Sequence, residues 1–233
     1  MSTIAHLIVI WSAATWAIIA ATFRRLLLGP RMPTWTWRTE WTVASARAVL
    51  IAASRYRSDP TIFQLGLRFK TPVPLELRKT VTVRRVKLDG NTADRYMPHL
   101  ELSPKTTLLY FHGGGYLFGN PGTHRQFIAR IVAATGASAI APRYRLAPRH
   151  RYPAAVDDAE RTYEYLLAQG IAPETIVLGG DSAGGGLAMA LLHRIRTEEL
   201  PMPAGAMLFS PYLDLEHTGY TLVTNASTDY LPG

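Results

Sequence analysis

The sequence predicts an α/β protein with a mostly parallel sheet that carries helices on both faces. Four short apolar segments are typical of buried strands, and three longer segments between or after them are typical of helices. The strands are expected at 106–111, 137–142, 175–178 and 204–209, and the helices at 123–135, 154–169 and 183–196. Strands and helices that alternate in this way form βαβ units, whose strands are parallel. A further strand is expected at 80–88, ended by a turn at Asp89-Gly90.

The composition suits a globular chain with a sizeable apolar core. The chain has 233 residues, of which 48% are hydrophobic, and its mean hydropathy is +0.03. It contains no cysteine, which excludes disulfides, thiolate metal sites and cysteine nucleophiles. The prediction is for a protein without a cofactor or a metal.

The charge is divided unevenly along the chain. Residues 1–105 hold sixteen Lys and Arg against six Asp and Glu, whereas residues 106–233 hold nine against eleven. A basic N-terminal half suits an anionic membrane surface. Scattered arginines without a nucleic-acid-binding motif argue against nucleic acid as a partner.

Residues 4–23 contain no Asp, Glu, Lys or Arg and are followed by Arg24-Arg25. Twenty helical residues span about 30 Å, the thickness of the hydrocarbon core of a bilayer. We therefore expect this segment to be a single N-terminal membrane anchor, with a docked helix of a cytoplasmic protein as the alternative. A cleaved signal peptide is disfavoured because no basic region precedes the segment. The side of the membrane is left open.

Residues 177–186, VLGGDSAGGG, are typical of a strand that turns sharply into a helix. Gly180-Asp181-Ser182-Ala183-Gly184 fits the pattern G-x-S-x-G, in which the serine is an exposed nucleophile at the bend. Gly180 and Gly184 lack a Cβ, which lets the strand and the helix approach each other. The N–H of Ala183 then opens the helix and can donate to a developing oxyanion.

His112-Gly113-Gly114-Gly115 follows the strand at 106–111 directly. A glycine loop in this position supplies backbone N–H groups to an oxyanion hole. We expect Gly113 and Gly114 to act there together with Ala183, and His112 to brace the loop rather than to act as a base.

The two motifs lie about 70 residues apart, and together they carry a family resemblance. The sequence resembles the hormone-sensitive-lipase-like branch of the α/β-hydrolases in the stretches YFHGGGYLFGNPGTHR, PRYRLAPRHRYPAAVDDA, VLGGDSAGGGLA and LFSPYLDL. Arg149 departs from the pattern, which has an acid there. The resemblance implies an α/β-hydrolase fold with Ser182 as the nucleophile. The expected division is a transmembrane or membrane-docked helix (1–29), a cap-like helical region (30–79), which the resemblance implies, and an α/β-hydrolase core (80–233) that is incomplete at its C-terminus.

The acid and the histidine of a catalytic triad have no recognisable counterpart after Ser182. In this fold they follow the serine in the order acid, then histidine. His193 lies eleven residues after Ser182 on the predicted helix, about 16 Å along its axis. A triad of Ser182 with Asp214 and His217 is disfavoured because the family has a structural segment there. We therefore expect that the chain is a fragment whose last strands, with the acid and the base, are missing.

The function implied by the resemblance is hydrolysis of a small, apolar carboxylic ester through an acyl-enzyme on Ser182. Two alternatives stay open. One is a non-catalytic protein that uses the same fold to bind a ligand, and the other is a membrane-tethered remnant with little activity.

Overall fold

The computed structural model describes residues 3–55, 70–100, 106–226 and 228–229. The chain divides into two compact units, Met1–Leu65 with Asp214–Gly233, and Gly66–Leu213. The second unit is the larger and holds both motifs.

The described residues form seven α-helices and six strands. The helices are α1 (Thr3–Leu28), α2 (Trp37–Ser54), α3 (Leu75–Arg78), α4 (Arg125–Thr135), α5 (Ala154–Ala168), α6 (Ala183–Thr197) and α7 (Thr221–Thr224). The strands are β1 (Val81–Leu88), β2 (Asn91–Pro98), β3 (Thr107–Phe111), β4 (Ser138–Pro142), β5 (Ile176–Asp181) and β6 (Gly205–Phe209). Each predicted strand and helix is present within a few residues of its expected bounds.

The six strands form one mixed sheet in the order β1-β2-β4-β3-β5-β6. The four strands β4, β3, β5 and β6 are parallel, as the βαβ pattern predicts. In contrast, β2 is antiparallel to both β1 and β4. The strand β2 is not among those predicted from the sequence. Its direction follows from the two-residue connection Asp89-Gly90, since so short a link allows only an antiparallel neighbour.

The sheet has a hydrophobic core on each face. On one face α5 and α6 bury Tyr163, Leu166 and Leu187 against β3 and β5. On the other face α4 buries Ile128 and Val132 against the opposite side of the same strands. Because both faces are covered, β3 is buried along its whole length. This burial explains why it reads as a continuous apolar run rather than as an alternating one.

Arg145 and Asp158 link the loop after β4 to α5. The Arg145 backbone N–H and Nε both donate to the buried Asp158 carboxylate, at 2.8 and 2.9 Å from its Oδ2. Arg161, one turn further along α5, also donates to Asp158. The stretch PRYRLAPRHRYPAAVDDA therefore has a structural role, because it ties the start of α5 to the end of the sheet.

Candidate active site

Ser182 lies at the bend between β5 and α6, at the carboxyl edge of the parallel strands. Its backbone has φ 50° and ψ −123°, a region that side-chain-bearing residues adopt only under strain. Hydrogen bonds hold this geometry, because the Ser182 N–H donates to the Phe209 carbonyl at 3.0 Å and its own carbonyl accepts from Tyr212 at 2.8 Å. The strand before the bend and the helix after it are those that the G-x-S-x-G pattern predicts.

Gly180 and Gly184 are required by close backbone contacts. A Cβ built on Gly180 would lie 2.4 Å from the carbonyl carbon of Gly184. A Cβ on Gly184 would lie 2.1 Å from the carbonyl oxygen of Phe111, at the end of β3. The first turn of α6 therefore packs directly on the end of β5 and on the strand beside it, with no room for a side chain.

Because the serine backbone is strained, we expect Ser182→Gly to raise the free energy of unfolding. Glycine adopts this backbone conformation freely, so the substitution relieves a strain of about 1–3 kcal/mol. The greater conformational freedom of glycine in the unfolded state offsets up to about 1 kcal/mol of that gain. The net gain should be about 1 kcal/mol, measured by urea denaturation. Ser182→Ala removes the same hydroxyl and keeps the strain, so it should show no such gain. Equal stability of the two variants would contradict the prediction.

The loop His112–Gly115 follows β3 and faces the elbow. The Gly113 N–H donates to Asp181 Oδ1 at 3.0 Å, and a Cβ on Gly113 would lie 2.2 Å from Oδ2 of the same carboxylate. This differs from the sequence-based expectation that the Gly113 N–H faces an oxyanion. The carboxylate of Asp181 takes that donor instead, because the residue before the serine points toward the loop.

Asp181 connects three elements through its carboxylate. Besides Gly113, its Oδ1 accepts the hydroxyl of Tyr110 at 2.7 Å, and its Oδ2 accepts Nε2–H of His124 at 3.2 Å. Burial alone raises the pKa of the Asp181 carboxyl, but hydrogen bonds from His124, Tyr110 and Gly113 outweigh it and hold that pKa below its ordinary value. An ionised Asp181 therefore fixes the end of β3, the glycine loop and the start of α4 to the elbow.

His124 is a site residue that the sequence analysis missed. It lies 57 positions before Asp181 and immediately before α4. The fold brings the two together at the carboxyl edge of the sheet. It occurs in the stretch that carries the family resemblance, but no spacing rule assigns it a role.

His112 is buried beneath the loop. Its ring stacks on Tyr144 with centroids 4.3 Å apart, and Nδ1–H donates to the carbonyl of Gly113 at 2.8 Å. Burial lowers the pKa of His112 to about 3, so the imidazole is neutral at physiological pH. This geometry suits a histidine that braces the loop.

No side chain in the described part of the larger unit hydrogen bonds to the Ser182 hydroxyl. His193 is exposed on α6, and its Nδ1 lies 3.5 Å from the Thr197 hydroxyl. Asp214 and His217 belong to the smaller unit, where Asp214 accepts the Gly219 N–H at 2.9 Å. Among the described residues there is also no group of three His, Asp or Glu side chains that could hold a metal ion.

A serine elbow beside a glycine loop, at the carboxyl edge of a mostly parallel sheet, defines the class of α/β-hydrolase-fold proteins. Residues 108–231 match the family model described as the alpha/beta hydrolase fold. Among solved structures, the chain resembles EstE5 soaked with p-nitrophenyl butyrate, with a TM-score of 0.68, 30% identity, and coverage of 93% of this chain and 65% of that one. It also resembles an esterase from the bacterial hormone-sensitive lipase family, with a TM-score of 0.65, 30% identity, and coverage of 94% and 64%.

Curated relatives agree with these structures. An acetyl-hydrolase of Streptomyces hygroscopicus is 43% identical over 125 residues, which are 54% of this chain and 42% of the relative. An esterase of Acinetobacter venetianus is 37% identical over 152 residues, which are 65% and 50%. The chain belongs to the hormone-sensitive-lipase-like branch of the alpha/beta hydrolase fold family. It spans about half the length of these curated relatives.

Proposed function

We propose that the protein is a carboxylic ester hydrolase in which the Ser182 hydroxyl attacks the ester carbonyl and forms an acyl-enzyme. The observation that carries this proposal is the strained backbone of Ser182, φ 50° and ψ −123°, at the first turn of α6. Strain of this kind persists where the surrounding structure over-determines it, and it clusters at active sites. The names of the relatives, acetyl-hydrolase and esterase, support the same reaction class.

The proposed oxyanion hole consists of the N–H groups of Gly114, Gly115 and Ala183. Gly113 is omitted because its N–H already donates to Asp181. Ala183 is the first residue of α6, where backbone N–H groups have no partner within the helix. Asp181 stabilises the proposed hole indirectly, because it binds the N–H of Gly113, the residue that precedes the two loop donors Gly114 and Gly115. Loss of one donor costs about 3 kcal/mol of transition-state stabilisation in sites of this kind.

The proposed mechanism needs a histidine to accept the serine proton, as in other serine hydrolases. His112 and His124 are engaged with Gly113 and Asp181, so neither is assigned this task. The proposal assigns neither the base nor the acid that orients it to a described contact of Ser182. The proposed substrate is an ester with a short acyl group and an apolar alcohol.

The proposal is tested by reacting the protein, expressed from its complete reading frame, with a fluorophosphonate probe and with p-nitrophenyl acetate. We expect labelling of Ser182 and a loss of at least about 10³-fold in hydrolysis for Ser182→Ala. Ser210→Ala is the matched control, because Ser210 also follows a parallel strand with a positive φ of 44° but precedes no helix. Absence of labelling in the wild-type protein, or equal loss in both variants, would overturn the ester hydrolase proposal.

We infer in addition that α1 associates the protein with a membrane. Within the helix Ile4–Leu28, the most apolar stretch of 18 residues has a mean hydropathy of 1.9, and only 17% of that stretch is buried. A span of this length and composition is shared by membrane anchors and signal sequences. The membrane association proposed here therefore also draws on the basic N-terminal half of the chain and on its tryptophans.

A further inference from the structure

The hairpin of α1 and α2 exposes a large apolar surface. The exposed apolar side chains of α1 are 38–80% accessible. They are Ile4, Ile8, Trp11, Trp16, Ile19, Phe23, Leu26, Leu27 and Leu28. A continuous apolar surface that is exposed on a protein marks a site of interaction with another protein or with a membrane.

This apolar face runs the length of α1 and lies opposite the face that packs against α2. At about 100° per residue, the exposed apolar side chains from Ile4 to Leu27 occupy one half of the helix circumference, and only Leu28 at the end of the helix lies outside it. The buried residues Ile10, Ala14 and Ala21 occupy the other half. Ser12 and Thr15 lie on the exposed face, but their hydroxyls donate to the carbonyls of Val9 and Trp11, both at 3.0 Å. The face therefore presents no unsatisfied side-chain hydroxyl to a lipid environment.

The register of α2 against α1 argues against a bilayer-spanning α1 in this conformation. Arg25 lies 3.1 Å from Glu40, and the Trp41 indole N–H donates to Thr22 at 2.9 Å. The helices are thus antiparallel, and the same register places Arg47 beside the middle of α1, near residue 17.

Arg47 is bound to polar backbone in that position. Its guanidinium donates to the carbonyls of Ala226 and Asp229, at 2.7 and 2.8 Å. If α1 crossed a bilayer, its middle would lie at the bilayer centre, and so would Arg47 and the non-helical backbone that it binds. Charged side chains and irregular backbone are costly at that depth.

We propose that the α1–α2 hairpin is a monotopic docking element for an anionic phospholipid surface. In this arrangement α1 lies in the plane of the membrane, with its exposed face in the outer part of the acyl region and α2 toward the water. The inference rests on the proposed membrane association of α1 and is independent of the proposed esterase activity. It replaces a single membrane span by a surface-bound hairpin.

The composition of the hairpin matches such a surface. Residues 1–55 contain six arginines and one glutamate, a balance of +5 that attracts anionic headgroups. All five tryptophans of the chain lie between positions 11 and 41, and tryptophan prefers the boundary between headgroups and acyl chains. Trp37 also stacks against Arg25, whose guanidinium lies 4.6 Å from the ring centroid.

The tryptophan distribution provides the test, because the tryptophan fluorescence of the 233-residue chain, excited at a wavelength that tyrosine does not absorb, reports only on the hairpin. The chain is mixed with vesicles of phosphatidylcholine alone or with about one-fifth phosphatidylglycerol. Lipids brominated near the headgroup end or near the methyl end of the acyl chains then measure depth. We expect a blue shift and flotation with the anionic vesicles, weakened by salt. Quenching should be stronger for bromines near the headgroups, and carbonate should extract the protein.

The possible outcomes distinguish the in-plane hairpin from the membrane association of α1 on which it rests. Stronger quenching by bromines near the methyl ends, with resistance to carbonate, would keep the association but overturn the in-plane hairpin in favour of a spanning α1. No flotation with either vesicle would overturn both. A dimer in solution that ignores vesicles would assign the apolar face to a second copy of the chain.

Paired variants localise the surface. Ile8→Asp with Phe23→Asp should weaken vesicle binding at least about tenfold, because both side chains leave the acyl region. The control, Leu75→Asp with Met202→Asp, places the same charges on exposed apolar positions of the larger unit and should bind as the wild-type chain does. Equal loss in the two pairs would contradict the assignment to α1.

Discussion

Replacement of Gly184 by alanine is expected to destabilise the larger unit by about 3 kcal/mol or more, because the new methyl group has nowhere to go. It would lie 2.1 Å from the Phe111 carbonyl oxygen and 2.6 Å from that of His112. Both atoms are backbone, so the contact cannot be relieved by a change of rotamer. Relief requires α6 to move away from β3, which would also displace Ser182 from the glycine loop.

The measurement is the free energy of unfolding from urea denaturation, with the m-value as a check on the extent of unfolding. Gly205→Ala is the matched control. Gly205 has no heavy atom within 4 Å of its built Cβ, and its φ is not positive, so alanine should be neutral within about 0.5 kcal/mol. A Gly184→Ala protein as stable as the control would show that the helix and the strand are not in direct backbone contact.

The second large effect concerns the pH dependence of stability that arises from His112. Burial lowers the pKa of His112 to about 3 in the folded protein, whereas an unfolded histidine has a pKa of about 6.5. Between these values the unfolded state binds a proton that the folded state does not, so stability falls as the pH falls. Linkage over this window lowers the free energy of unfolding by about 2.5 kcal/mol between about pH 7 and about pH 4.5.

His112→Asn removes the titrating ring and keeps an amide N–H near the position of Nδ1, where it can donate to the Gly113 carbonyl. We expect this variant to be less stable than the wild type at neutral pH, because it loses the stacking on Tyr144. Its stability should nevertheless change much less over the same pH range. His193→Asn, at an exposed position on α6, controls for removal of a histidine as such and should retain the wild-type dependence. An unchanged slope in His112→Asn would mean that the imidazole titrates alike in the folded and unfolded states, and would contradict its lowered pKa.

Much of the site was predictable because its residues are local in sequence. The bend at Ser182 requires glycine at Gly180 and Gly184, and the motif shows both within five residues. The order of strands and helices likewise follows from hydrophobic period and from helix-ending glycines such as Gly136. These features depend on the conformation of a few adjacent residues, so a short stretch of sequence contains all the residues needed to predict them.

The antiparallel strand β2 was harder to identify. It buries Ala93, Asp94 and Tyr96, and a buried charged residue breaks the apolar pattern that marks a strand. The carboxylate of Asp94 is acceptable there because Arg125, at the start of α4, pairs with it. That partner lies 31 positions away, so the pairing cannot be inferred from the local pattern.

By itself, the sequence determined that the protein is an α/β-hydrolase-fold chain with a sharp strand-to-helix bend at Ser182, a glycine loop after β3 and an apolar N-terminal helix. The tertiary structure alone decided how Asp181 is used. Its carboxylate takes the Gly113 N–H and joins His124 to the elbow, which shifts the proposed oxyanion donors by one residue. The tertiary structure also paired α1 with α2 and placed Arg47 beside the middle of α1. Both arrangements depend on the hydrogen-bond partners of a charged side chain, the Asp181 carboxylate in one case and the Arg47 guanidinium in the other. These partners are distant in sequence, and only the packing of the folded chain brings them together.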